Sequence, residues 1–108
     1  MALVDNLEAM LAAGSDNALL RYGLGNEYLK ARDFARAIGH FEKAVALDPN
    51  YSAAWKALGA AYVDAGDLAA ARERYARGIA VAEAKGDIQA AKEMRVFLKR
   101  LTREDNTQ

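Results

Sequence analysis

The sequence predicts an all-α fold, a short array of helix-turn-helix units, and three observations carry that expectation. Alanine fills 25 of the 108 positions whereas Val, Ile and Thr together fill 10, a balance that favours helix over strand. Apolar residues recur at intervals of three and four, the period of an amphipathic helix. The chain also matches itself at an offset of 34 residues, a length suited to a pair of helices. One domain is all that 108 residues support. The absence of cysteine excludes a disulfide scaffold and a thiolate zinc site. The start, Met1 to Asp5, lacks a basic segment followed by a long apolar core, and no stretch has the roughly 18 apolar residues of a membrane span, so a cytoplasmic location away from the membrane is expected.

Taken in order, residues 1–17 form a flanking helix, with Leu3, Leu7, Met10 and Leu11 on one stripe, Gly14 closing it and Ser15, Asp16 or Asn17 capping the next helix. Residues 18–51 and 52–85 are the two matched units, with eight identities: Leu24/Leu58, Gly25/Gly59, Tyr28/Tyr62, Ala31/Ala65, Asp33/Asp67, Ala35/Ala69, Ala37/Ala71 and Ala46/Ala80. Each unit divides into two helices at Arg32-Asp33 or Gly66-Asp67, where Gly66 suits a left-handed closing residue and each Asp can accept N–H bonds of the next turn. Pro49 ends the first unit; without such a proline the last helix of the second runs to about Ala84 or Lys85. Residues 86–103 form a capping helix opened by Asp87, and Thr102 to Gln108, lacking an apolar anchor, read as a disordered tail.

The spacing Trp55-x2-Leu58-Gly59-x2-Tyr62 followed by Ala71, Tyr75 and Gly78 resembles the tetratricopeptide repeat (TPR) family. The first unit agrees at Leu24, Gly25, Tyr28, Ala37, Phe41, Ala44 and Pro49, and departs at the tryptophan position, held by Arg21; the second departs at the proline position, held by Glu83. The resemblance implies a right-handed solenoid of about six helices, with the first helix of each unit lining the concave side. Packing explains the alternation of large and small residues. Gly25 and Gly59 mark close helix approaches, and Tyr28, Tyr62, Phe41 and Tyr75 fill the space between units, with no chemistry assigned to them.

No catalytic constellation emerges, and neither an enzyme, a cofactor nor a metal is expected. His40, the single histidine, reads as solvent-facing; Ser15 and Ser52 stand at helix starts, and Gly23-Leu24-Gly25 lies inside a helix rather than after a strand. Lys92, Arg95, Lys99 and Arg103 make a basic stripe on the last helix, but Glu93 dilutes it and the 15 basic residues only balance 15 acidic ones, so nucleic acid is not an expected partner.

What remains is recognition of a protein. By the resemblance, the partner-binding positions of the concave groove are Leu19, Tyr22, Asn26, Leu29 and Lys30 in the first unit and Ala53, Lys56, Ala60, Val63 and Asp64 in the second, with Ala90, Met94 and Phe97 added by the last helix. The family's carboxylate clamp for chaperone tails is excluded. Only Asn26 agrees with it, and Tyr22, Ala57, Asp87 and Ala91 stand at its other positions. The expected function is a non-enzymatic interaction module holding a peptide or helix of a partner protein. The alternative is self-association, encouraged by a charge of about −3 on residues 1–67 against +3 on 68–108. Contact of the basic helix with an anion or nucleic acid is a remote third. The Ala- and Arg-rich, cysteine-free composition is of a bacterial style.

Overall fold

The computed structural model describes residues 2–106. Among them run six helices and no strand: α1 (Leu3–Ala12), α2 (Ala18–Lys30), α3 (Phe34–Leu47), α4 (Ser52–Asp64), α5 (Leu68–Lys85) and α6 (Ile88–Asn106). The array is elongated, 46 × 31 × 18 Å.

The same device joins helices at four places. A residue with positive φ closes each helix: Gly14 (98°), Arg32 (62°), Gly66 (84°) and Gly86 (80°). The next N–H returns to the carbonyl five residues back, Ser15 to Met10, Asp33 to Tyr28, Asp67 to Tyr62 and Asp87 to Ala82. Asp33, Asp67 and Asp87 then cap the next helix, accepting from the N–H of Arg36, Ala70 and Ala90, while Asn17 does so for Leu20. The junction between the units is different. Asp48 leaves helical geometry before Pro49, and the Pro49 carbonyl accepts the indole N–H of Trp55 at 2.8 Å.

Within each unit the helices pack where a glycine lacks a side chain. A Cβ on Gly25 would stand 2.4 Å from the Phe41 ring, and one on Gly59 2.5 Å from the Tyr75 ring. Phe41 and Tyr75 therefore seat inside their own units, and Tyr75 also reaches Phe97 of α6, beyond the second unit, as the spacing suggested. Tyr28 and Tyr62 bridge neighbouring units by hydrogen bonds. Tyr62 donates to Glu42 on α3 of the preceding unit, and Tyr28 donates to Glu8 on α1 at 2.9 Å. Glu8 and Glu42 are themselves 34 residues apart, so α1 stands to α2 as the second helix of one unit, α3, stands to the first helix of the next, α4. At the other end, α6 continues to Asn106, so the expected tail is helical through that residue; Thr107 and Gln108 lie outside the described residues.

Candidate functional site

The backbones of α2 and α4, and of α4 and α6, come within 8 Å of each other, whereas those of α3 and α5 do not. The array thus curves with α2, α4 and α6 on its inner side. Ala60, Val63 and Asp64 of α4 meet Phe97, Arg100 and Leu101 of α6 there, around an open cavity of about 180 Å³ with Tyr75 of α5 at its floor. The lining is mostly apolar, and Asp64 and Arg100 add one charge of each sign.

Tyr75 is only 3% exposed, and its ring lies tilted against Phe97 with centroids 5.7 Å apart. No hydrogen bond to its hydroxyl is found among the described residues. Burial pushes the phenol pKa up to about 12, with the negative charge of Asp64 adding to the rise and Arg100 opposing it. Tyr75 therefore stays neutral across the physiological range, able to donate and accept.

The other expected groove residues are distributed unevenly. Tyr22 is half-buried and packs on Phe41 and Tyr51, with ring centroids 6.0 and 5.0 Å away. Asn26 and Leu29 are half-buried on α2, and Lys30 is exposed beside Glu27. Lys56 reaches across to α6 and pairs with Glu93 at 2.8 Å, so the carboxylate it meets belongs to the chain itself. Met94 is a correction. It is fully buried, packed where Gly78 leaves room for its sulfur, and presents no surface to a ligand.

The reason lies in register. The starts of α2 and α4 are 34 residues apart, but those of α4 and α6 are 36 apart, because α5 is four residues longer than α3 while the connection that follows it is two residues shorter. A shift of 36 pairs Ala90, Ala91 and Met94 with Ala54, Trp55 and Leu58, all of them buried. It also places Arg100 at the counterpart of Asp64. Arg100 and Leu101 fall outside the groove expected from the sequence for this reason, and the cap at Asp87, which sets Ile88 as the first helical residue, is the available signal; Tyr75, on α5, is read from the sequence as packing only. Gly59 then corresponds to Arg95, an exposed side chain paired with Glu83.

A second polar cluster lies at the α1–α2–α3 junction and corrects the reading of His40. Its side chain is only 14% exposed, its ring is stacked on Tyr28 at 5.5 Å, and its Nε2 stands 3.6 Å from Glu8. Arg21, which can only donate, lies 3.2 Å from Nδ1, so the neutral imidazole accepts there and carries its hydrogen on Nε2, toward Glu8. Burial lowers the His40 pKa, with Glu8 pulling it up and Arg21 pushing it further down. Arg21 also holds Asp16 through two bonds, of 2.8 and 3.0 Å. One unit later Arg74 replaces the histidine and grips Glu42. For Glu42, burial would raise the pKa, but the bonds from Arg74 and Tyr62 outweigh it and hold the carboxyl below its ordinary range. No group of three or more metal-ligating side chains occurs among the described residues, and no helix there is long and apolar enough to cross a membrane.

Comparison with known proteins agrees with this geometry. A family model for the tetratricopeptide repeat matches residues 28–94. A TPR repeat-containing protein of Pseudomonas aeruginosa is 54% identical over 101 residues, covering 94% of this chain and 96% of that protein. A protein of Bordetella parapertussis solved in solution superimposes with a TM-score of 0.87 at 46% identity, over 100% of this chain and 94% of the other. The TPR domain protein of Salinibacter ruber, also solved in solution, gives 0.74 at 30% identity over 80% and 87% of the two chains. The repeated glycine–aromatic contacts, the tyrosine–glutamate bridges between units and these matches together establish that the chain belongs to the tetratricopeptide repeat family.

Proposed function

We propose that this chain is a non-enzymatic, cytoplasmic adaptor whose concave face holds an extended or helical segment of a partner protein. Domains of the family are generally protein–protein interaction modules. The observation that carries the reading is the open apolar cavity between α4 and α6, formed on the inner face by Ala60, Val63, Asp64 and Phe97. Asn26, Leu29 and Lys30 extend that face along α2. A titration of isotope-labelled protein with peptides selected from a display library tests it. Shift changes should gather on Lys30, Ala60, Val63, Asp64 and Phe97, and exchanging the exposed charges (Lys30→Glu with Asp64→Lys) should weaken binding at least five-fold. Changes confined to α1 or to the outer face of α6 would overturn the assignment.

One observation favours a second reading, self-association through α1. Leu3 and Met10 are 54% and 49% exposed, whereas Ala37 and Ala44, their counterparts on α3, are fully buried beneath a first helix. Two copies could cover these stripes symmetrically. A mass that rises with concentration in sedimentation, and falls back in a Leu3→Glu, Met10→Glu variant, would support it.

A further inference from the structure

The cavity between α4, α5 and α6 is more specific than an apolar groove requires. Its floor carries the hydroxyl of Tyr75, a residue only 3% exposed, with no hydrogen-bond partner among the described residues. The hydroxyl oxygen is open to water at the cavity rather than sealed off, so an occupant that only fills the space displaces that water and leaves the hydroxyl unpaired, whereas one that bonds to it does not. The walls, formed by Ala60, Val63, Phe97 and Leu101, match an apolar body. Size narrows the choice: a dry cavity of about 150 Å³ accepts a benzene ring, and this one measures about 180 Å³. A six-membered ring with one additional polar atom fits that volume. Charge narrows it further, because Asp64 and Arg100 carry opposite signs and leave the lining with no net charge to favour an anion or a cation. We propose that this cavity is a specificity pocket for a tyrosyl side chain of the bound partner segment, its ring between Val63 and Phe97 and its hydroxyl hydrogen-bonded to that of Tyr75.

This inference rests on the proposed peptide-binding groove, and its test is chosen to fail independently of it. The probes are p-cresol and toluene, the side-chain analogues of tyrosine and phenylalanine, titrated into the full chain while the amide signals of Val63, Phe97 and Leu101 are followed. Both should give saturable changes there, with p-cresol about five-fold tighter, the factor that one net hydrogen bond supplies. Tyr75→Phe, which keeps the ring, should bind toluene as before and lose the preference for p-cresol. Ala60→Leu, which fills the cavity from α4, should abolish both. The proposal is overturned if neither probe saturates at these residues, if toluene binds the unmodified chain as tightly as p-cresol, or if the preference survives in Tyr75→Phe. Failure of the probes while selected peptides still map to the inner face removes the pocket and leaves the groove. Peptides that miss the inner face remove the groove itself.

Discussion

The two repeat units share a backbone plan and differ in what secures it. Both have a glycine seated under an aromatic ring, and both send a tyrosine back to a glutamate of the preceding helix. In the second unit that glutamate is also gripped by a permanently charged guanidinium, Arg74, and the tryptophan position carries a buried indole. In the first, His40 and Arg21 hold those two places and are joined to each other, and Arg21 is paired with Asp16. The parts common to both units set the spacing between helices. The parts that differ set how each unit responds to mutation and to pH.

The largest expected contrast is therefore at the tryptophan position. Trp55→Ala removes a side chain 2% exposed, leaves the Pro49 carbonyl without its donor and should cost about 4 kcal/mol in denaturant unfolding. Arg21→Ala breaks a partly solvated ion pair and should cost about 1 kcal/mol or less. Equal costs would show that the two units are secured in the same way. Next come the features they share. Gly59→Ala and Gly25→Ala should each cost about 2 kcal/mol, since overpacking against the ring exceeds the roughly 1 kcal/mol gained in helix propensity. A much smaller cost at Gly25 would mean that the first unit yields more easily.

Acid should separate the units by pH. The folded-state pKa of His40 lies below its ordinary value of 6.5, so the unfolded chain binds the extra proton first. Stability from this group is full above about pH 6.5 and is lost as pH falls through the folded value. Glu42, also lowered, gives stability that is full above its ordinary 4.5 and is lost only below that. Unfolding free energy followed from pH 7 to 5 should decline in the parent chain and flatten in His40→Gln, while Glu42→Gln should leave that slope unchanged. A slope that persists in His40→Gln would assign the effect elsewhere.

The smallest effect concerns the turns. Arg32 adopts the left-handed conformation that Gly66 takes in the second unit. Arg32→Gly should stabilise the chain by up to about 1 kcal/mol, reduced by the lost contact of its guanidinium with the Phe34 ring. No gain on thermal unfolding would show that the cation–π contact and the strain cancel.

What the sequence made legible was local or strictly periodic. Caps at Asp33, Asp67 and Asp87, closure at Gly66 and the extension of α5 all depend on residues a few positions apart. The pocket was only half legible, because its α6 wall depends on a 36-residue step that a 34-residue repeat conceals. That step carries Met94 into the core and brings Arg100 and Leu101 to the cavity. The burial of His40 was hidden for a related reason: its cover comes from Glu8 and Arg21, which only the packing of α1 and α2 brings to it.

The described helices also share stability unevenly. The backbone of α1 packs against α2 alone, the Glu8–His40 pair ties it to α3, and none of its residues is buried, so detaching it breaks fewer contacts than releasing α4 would. Native-state hydrogen exchange should accordingly register a gradient, with α1 amides opening at low free energy and those of α4 near the global limit. The inner face, built on the slow-exchanging middle of the chain, would remain assembled while the first helix comes and goes.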